Sequence, residues 1–223
     1  MKRILSCLIA VVALCTALCF AADVAQPTPN SVILTDFEDF PVMVRDSVEI
    51  TDDQQDLVIQ PKDLMWFVYS DKSSGRKSQM VTSIVNDAAH GSKAMKLSWK
   101  LDNYCGMGIS TEKSLPSTNP IWDWSKAKSI SFYVKGTPGQ TTFFSIGVGD
   151  KDDERYRSTE KFKVEGDQWQ KIVCPMASMK ARTDWQPRGI KRNFKFDAPG
   201  TLVEFIPYSE TGDITIDFFE INN

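Results

Sequence analysis

Histidine is almost absent from this 223-residue chain, with His90 as its single copy. A Ser-His-Asp constellation or a histidine-rich metal site would have to be built on that one ring. It sits in a turn-like His90-Gly91-Ser92 stretch with no nucleophile motif beside it, which argues against both. Cysteine is scarce where it counts. Of five cysteines, Cys7, Cys15 and Cys19 fall near the N-terminus, leaving Cys105 and Cys174 for the rest of the chain. Two cysteines make no disulfide framework, and one bridge or two buried thiols are equally compatible with the sequence. No stretch sustains a helical period over three turns, and residues 176–180 could form one turn at most. Past residue 22 no run is apolar enough to span a membrane. A basic excess is missing too, since the net charge is −3, and a mildly acidic chain is a poor match for nucleic acid.

What is present begins with an export signal. Lys2 and Arg3 precede an apolar run over 4–20, and Ala21-Ala22 precede the polar Asp23. That pattern predicts a signal peptide over 1–21, with Cys19 and Ala21 small enough for the −3 and −1 positions. A retained anchor is the rival reading, as the run only just reaches the roughly 20 residues a spanning helix needs. Leu14 and Leu18 before Cys15 and Cys19 disfavour lipid attachment. Loss of Lys2 and Arg3 with the leader takes the charge from −3 to −5. The expected location is secreted, periplasmic or cell surface. Residues 22–31, with Pro27 and Pro29, read as a linker, and 32–223 as one domain large enough for its own core.

The expected strands cover 31–37, 42–50, 64–69, 79–85, 94–101, 129–135, 141–148, 155–164, 168–174, 202–208 and 213–221. All are rich in β-branched and aromatic residues and are separated by Gly-, Asp-, Ser- and Pro-bearing turns. Many short strands with regular turn signals predict an all-β, two-sheet antiparallel sandwich. Alternation separates the faces. Met95, Leu97 and Trp99 share one side, as do Ile130, Phe132 and Val134, and Phe144, Ile146 and Val148. The opposite sides are polar but keep Tyr133 and Phe143, which fits either a solvated sugar-binding face or rings covered by a loop or a flanking strand.

Four signatures carry a resemblance. They are Asp36-Phe37-Glu38, His90-Gly91-Ser92 leading into 94–101, Trp124-Ser125 before an apolar strand ending in Lys135-Gly136, and Ile216-Asp217 in the last strand, with Trp169 opening another. In this order they resemble the family 11 carbohydrate-binding modules and the related complex I intermediate-associated domains. The resemblance implies a jelly roll of the galactose-binding-like type over nearly all of 32–223, with first and last strands adjacent. It also implies a structural Ca²⁺ joining those strands, with Glu38 and Asp217 as side-chain ligands and carbonyls near 90–93 completing the shell.

Sugars stack on aromatic rings and are oriented by nearby polar groups. Trp66, Tyr69, Tyr104, Tyr133, Tyr156, Trp185 and Tyr208 form the pool of platforms. Tyr156 between Arg155 and Arg157, following a run of acids, is the best cluster. Tyr133, Arg155, Tyr156, Arg157 and Trp185 are therefore the candidate ligand-binding residues. Trp185 stands inside a basic stretch over 180–195, where Lys180, Arg182, Arg188, Lys191, Arg192 and Lys195 face the single acid Asp184. That stretch is either a solvated loop or a contact for anionic glycans. The run from Thr215 to Glu220 has the outline of a jelly-roll glucanase strand, yet Thr215 occupies the place of the nucleophile. A retaining mechanism needs both carboxylates, so no enzyme activity is expected. The expected function is a non-catalytic carbohydrate-binding protein that recognises a polysaccharide or envelope glycan on a concave sheet face. The alternative is a structural cell-surface or appendage outer-layer protein using the same fold to contact envelope proteins.

Overall fold

The computed structural model describes residues 25–40, 44–46, 58–59, 64–71, 75–111 and 120–223. The expected signal peptide, and the expected strand residues 42–43 and 47–50, lie outside the described residues. Alternating patterns lay down fifteen strands among the described residues. They are β1 (Ser31–Thr35), β2 (Val44–Asp46), β3 (Val58–Ile59), β4 (Leu64–Ser70), β5 (Gln79–Val85), β6 (Ala94–Lys100), β7 (Cys105–Thr111) and β8 (Ser129–Lys135). There follow β9 (Thr141–Gly149), β10 (Arg155–Ser158), β11 (Phe162–Glu165), β12 (Gln170–Pro175), β13 (Met179–Ala181), β14 (Leu202–Pro207) and β15 (Thr211–Asn222). One 3-10 turn, Met176–Ser178, falls where a single turn is expected. Among the described residues no helix is long and apolar enough to cross a membrane.

Two antiparallel sheets result. The first has seven strands, in the order β12-β8-β15-β6-β5-β2 with β1 also on β15. The second has eight, in the order β13-β10-β9-β14-β7-β4-β3 with β11 also on β9. Ser31 pairs with Asn222 and Val32 with Ile221, so the first and last strands are neighbours, as expected. The core fills the space between the sheets through a set of phenylalanines. Phe132 of the first sheet stacks on Phe219 at 4.8 Å and meets Phe205 of the second edge-on at 5.3 Å. Each such ring, fully buried, contributes roughly 1.5–3 kcal/mol. Trp99 also lies inside and donates its indole N–H to the Ser209 carbonyl at 3.0 Å.

Cys105 and Cys174 are both free and buried, which settles the open alternative in favour of two thiols. Burial pushes Cys105 up to about 12 and Cys174 up to about 11.

Two features depart from the sequence reading. The first is a register shift in β15 between Asp217 and Glu220, with Phe218 in the left-handed region at φ 53°. An extra residue on one strand breaks strict alternation. Phe219 therefore enters the main core, while Phe218 joins Ala25 and Ala89 in a second, smaller apolar cluster. The second is that residues 25–30, expected as linker, are tied to the domain. Ala25 donates to the Ala89 carbonyl at 2.9 Å. The Glu220 carboxylate accepts from the Thr28 amide at 2.6 Å, the Thr28 hydroxyl at 2.8 Å and the Ser31 hydroxyl at 2.7 Å.

Candidate functional site

The eight-stranded sheet turns one side to the core and the other away, and the outward side is unusual. Outward positions of β4 carry Phe67 and Tyr69, those of β7 Gly106 and Gly108, and those of β14 Glu204 and Ile206. Those of β9 carry Ser145, Gly147 and Gly149, and those of β10 Arg155 and Arg157. Register sets them side by side: Tyr69 opposite Gly106, Phe67 opposite Gly108, Glu204 opposite both Gly108 and Gly147, and Arg155 opposite Gly149. A Cβ at Gly108 would strike the Phe67 ring, and one at Gly147 would sit 2.8 Å from the Glu204 Oε2. The glycines thus form a floor over which the larger side chains of neighbouring strands lie flat.

Several polar atoms on this floor make no hydrogen bond among the described residues. Glu204 and Ser145 are buried, and among the described residues the Glu204 Oε2, the Ser145 Oγ and the Arg155 Nε and Nη1 make no hydrogen bond. Arg182 Nη1 comes to 3.5 Å of the Glu204 Oε2 as an ion pair. Burial raises the Glu204 carboxyl above its usual range, although Arg155 and Arg182 pull it back. The same burial, reinforced by the Glu204 charge, raises the Tyr69 phenol. Leaving such groups unbonded costs about 1–3 kcal/mol each.

The segment after β13 closes one side. Gln186 accepts the Arg155 amide through Oε1 at 2.8 Å and donates through Nε2 to the carbonyls of Arg155 (2.8 Å) and Arg182 (2.9 Å). This pins the neighbouring Trp185, which is 50% exposed and lies 5.5 Å from the Arg182 guanidinium. Burial alone would raise Asp184, but the Arg182 fork at 3.2 Å and Arg157 at 3.2 Å hold it below the usual carboxylate range.

Of the expected ligand-binding residues, Arg155, Arg157 and Trp185 come together here. Tyr156 does not. It lies on the inward side of β10, buried, and meets Phe196 edge-on at 5.5 Å. Tyr133 lies on β8 in the other sheet, packed against the small cluster of Ala25, Ala89 and Phe218, with the Lys171 ammonium 5.6 Å from its ring centre. Tyr133 and Phe143 therefore belong to outer faces of different sheets. The residues that the sequence reading left out as ligands are Phe67, Ser145, Glu204 and the four glycines, while Tyr69 stood in its pool of platforms and Arg182 in the basic stretch. A lone Glu inside the apolar Leu-Val-Glu-Phe-Ile run of β14, and glycines spaced two apart in β7 and β9, were the available signals.

The expected calcium ligands serve a turn. Glu38 Oε1 accepts the amides of Ser92 (2.7 Å) and Lys93 (2.6 Å), and its Oε2 the Ser92 hydroxyl (2.8 Å). Asp217 Oδ2 accepts the amides of Ala89 (2.8 Å) and His90 (2.9 Å), and its Oδ1 that of Phe218 (2.7 Å). Burial still pushes Asp217 up to about 7. Residues 89, 90, 92 and 93 turn N–H donors towards the two acids, and a calcium shell requires oxygens. Among the described residues no group of three or more His, Cys, Asp or Glu side chains is placed to hold a metal ion. The donor set here does not fit that ion.

In chemical terms the outward face offers donors on Arg155, an acceptor on Glu204, a hydroxyl on Ser145 and two adjacent rings, Phe67 and Tyr69, 6.3 Å apart. A ligand rich in hydroxyls, with apolar C–H faces, carries the groups that match such a set. The family model described as "Carbohydrate binding domain (family 11)" matches residues 38–222. No curated protein matches the chain. A solved family 11 module of a cellulosomal cellulase of Clostridium thermocellum is 21% identical, covers 86% of this chain and 94% of its own, and superposes with a TM-score of 0.58. A family 11 module from Clostridium thermocellum in complex with a β-1,3-1,4-mixed-linked tetrasaccharide gives 19% identity, coverage of 86% and 95%, and a TM-score of 0.56. At these identities the structural likeness establishes the fold, which is that of the family's jelly roll.

Proposed function

This chain belongs to family 11 of the carbohydrate-binding domains, whose members bind glycans without catalysis, and from that premise we propose that the outer face of its eight-stranded sheet is a groove for a β-glucan-type chain. The carrying observation is the set of buried polar atoms on Glu204, Arg155 and Ser145 that make no hydrogen bond among the described residues, beside the Phe67 and Tyr69 rings. An Arg donor and a Glu acceptor can grip neighbouring sugar hydroxyls, which both give and take hydrogen bonds, while the ring faces of the sugars lie on the aromatics. The mixed-linked glucan bound by the Clostridium thermocellum module supports the same ligand class here. The leader-like N-terminus supports action outside the cytoplasm, on a secreted or surface-held protein.

Isothermal titration with a β-1,3-1,4-linked tetrasaccharide tests the reading. Binding is expected to weaken by about 1–3 kcal/mol in Tyr69→Ala, the scale of one well-packed aromatic contact. Glu204→Ala is expected to lose binding as well. No binding by the wild type, or full binding by both variants, would remove the groove from this face.

A further inference from the structure

The segment after β13 builds a second feature next to the groove. Glu154, fully buried, accepts the amides of Asn193 (3.1 Å) and Phe194 (3.0 Å) and lies 3.4 Å from the Arg192 Nε. That grip holds residues 192–194 in one place. Phe194 sits in the left-handed region at φ 59°, its side chain 67% exposed, with the Arg192 guanidinium 4.5 Å from its ring centre. Arg192 also donates through Nη2 to the Arg182 carbonyl at 2.9 Å, linking this ring–cation stack to that of Trp185 on Arg182. Beside them lies an open depression of about 620 Å³ whose charged walls are Asp152, Asp153, Arg188, Lys191 and Arg192.

The charges there do not cancel. Asp153 pairs with the Arg155 Nη2 at 2.7 Å, while Asp152 keeps its charge beside the neutral Asn193 amide group at 3.4 Å, one acid against the two cations Arg188 and Lys191. Arg192 is spent on Glu154. Arg188 and Lys191 are exposed and, among the described residues, make no ion pair or side-chain hydrogen bond. On a chain with net charge −3 this is a local reversal of sign. Asp153 lines the depression and its partner Arg155 stands on the groove floor, so the two features meet at the start of β10.

We propose that this depression is an anion subsite at the β10 end of the glycan groove. It takes a carboxylate or sulfate carried by a substituted glycan on Arg188 and Lys191, with Trp185 and Phe194 as the exposed rings for the sugars that bear it. The placement of the chain rests on the groove reading above, while the preference for charge does not.

The test compares a soluble β-glucan with its carboxymethyl and sulfated derivatives of the same backbone, by affinity electrophoresis of the whole protein. The carboxymethyl or the sulfated chain is expected to bind more tightly than the parent by about three- to tenfold at low salt, the scale of two exposed charge contacts. The gap should close as salt shortens the screening length. Arg188→Ala/Lys191→Ala should erase the gap and leave the parent glucan bound as before. Lys96→Ala/Lys100→Ala, which removes the same charge from β6 in the other sheet, should keep it. Equal binding of all three glucans, a gap that survives Arg188→Ala/Lys191→Ala, or a gap lost equally in the β6 control overturns the subsite. Failure of the groove reads differently, as a parent glucan that does not bind or that Tyr69→Ala does not weaken.

Discussion

Tyr156 and Trp185 both stand among charged residues in the sequence, and their fates differ because of strand geometry. Side chains alternate along a strand, so Arg155 and Arg157 cannot share a face with the residue between them. With both arginines outward, Tyr156 is sent into the core against Phe196. The alternation was readable from the sequence. It was overridden by the polarity of the neighbours, which is a weaker signal than the period. Tyr133 is a different case. It does point outward, as alternation requires, but it packs on the cluster of Ala25, Ala89 and Phe218, and no local pattern announces a cover supplied from so far along the chain. These placements set opposite expectations. Tyr156→Ala should cost about 3–5 kcal/mol in urea unfolding, as a large core truncation does, with Tyr156→Phe far milder. Trp185→Ala should leave stability within about 0.5 kcal/mol, as for a surface change, and weaken glycan binding by about 1–3 kcal/mol. A Tyr156→Ala protein as stable as wild type would contradict the inward placement.

Among the elements, β7 escaped the sequence reading, and it lies in the middle of the proposed groove. Cys105–Thr111 carries glycine at two of its seven positions, and glycine weakens a strand on propensity grounds. Its pairing comes from both neighbours: seven residue pairs with β4 and four with β14. The expected single strand over 155–164 likewise divides into β10 and β11, both of which pair with β9. Strands rich in β-branched residues, such as β5 and β8, were legible to the residue, because propensity and alternation agree there. The glycines of β7 have a steric purpose that a substitution can expose. Gly108→Val should push the Phe67 ring off the floor, costing about 1–3 kcal/mol of stability as overpacking does and weakening glucan binding with it. Gly139→Ala is the matched control. Gly139 has φ 77° and open space around its Cβ position, so alanine there should cost about 1–2 kcal/mol of backbone strain and leave binding untouched. Titration and urea unfolding of the two variants separate a groove glycine from a turn glycine.

At the scale of the whole molecule, the all-β class and the adjacency of first and last strands were legible from turn spacing and from the end motifs. The order of strands within each sheet was not. Pairings such as β14 between β7 and β9 join segments far apart in sequence, and hydrophobic alternation is the same whichever neighbour a strand takes. The N-terminal strap shows how one side chain can close such a structure. Glu220, fully buried in β15, gathers Thr28 from the N-terminal segment 25–30, Ser31 from the start of β1, Ser131 from β8 at 3.2 Å and the Lys171 ammonium at 3.1 Å. Burial would raise its carboxyl, yet the hydrogen bonds from Thr28, Ser31 and Lys171 prevail and hold it below the ordinary glutamate value. A folded-state value below the unfolded one means the ionised group favours the fold. Its contribution is present in full above the unfolded value, near pH 4.5, and is lost as pH falls through the folded one. Glu220→Gln cannot ionise and presents one acceptor oxygen where the carboxylate has two. It should therefore be less stable than wild type by about 1–3 kcal/mol at pH 7, as for lost charge-assisted bonds, and the difference should hold until the pH nears 4.5 and shrink as it falls further. Urea midpoints measured across that range decide the matter. A difference that stays constant with pH would mean the Glu220 carboxylate does not anchor the strap in its charged form.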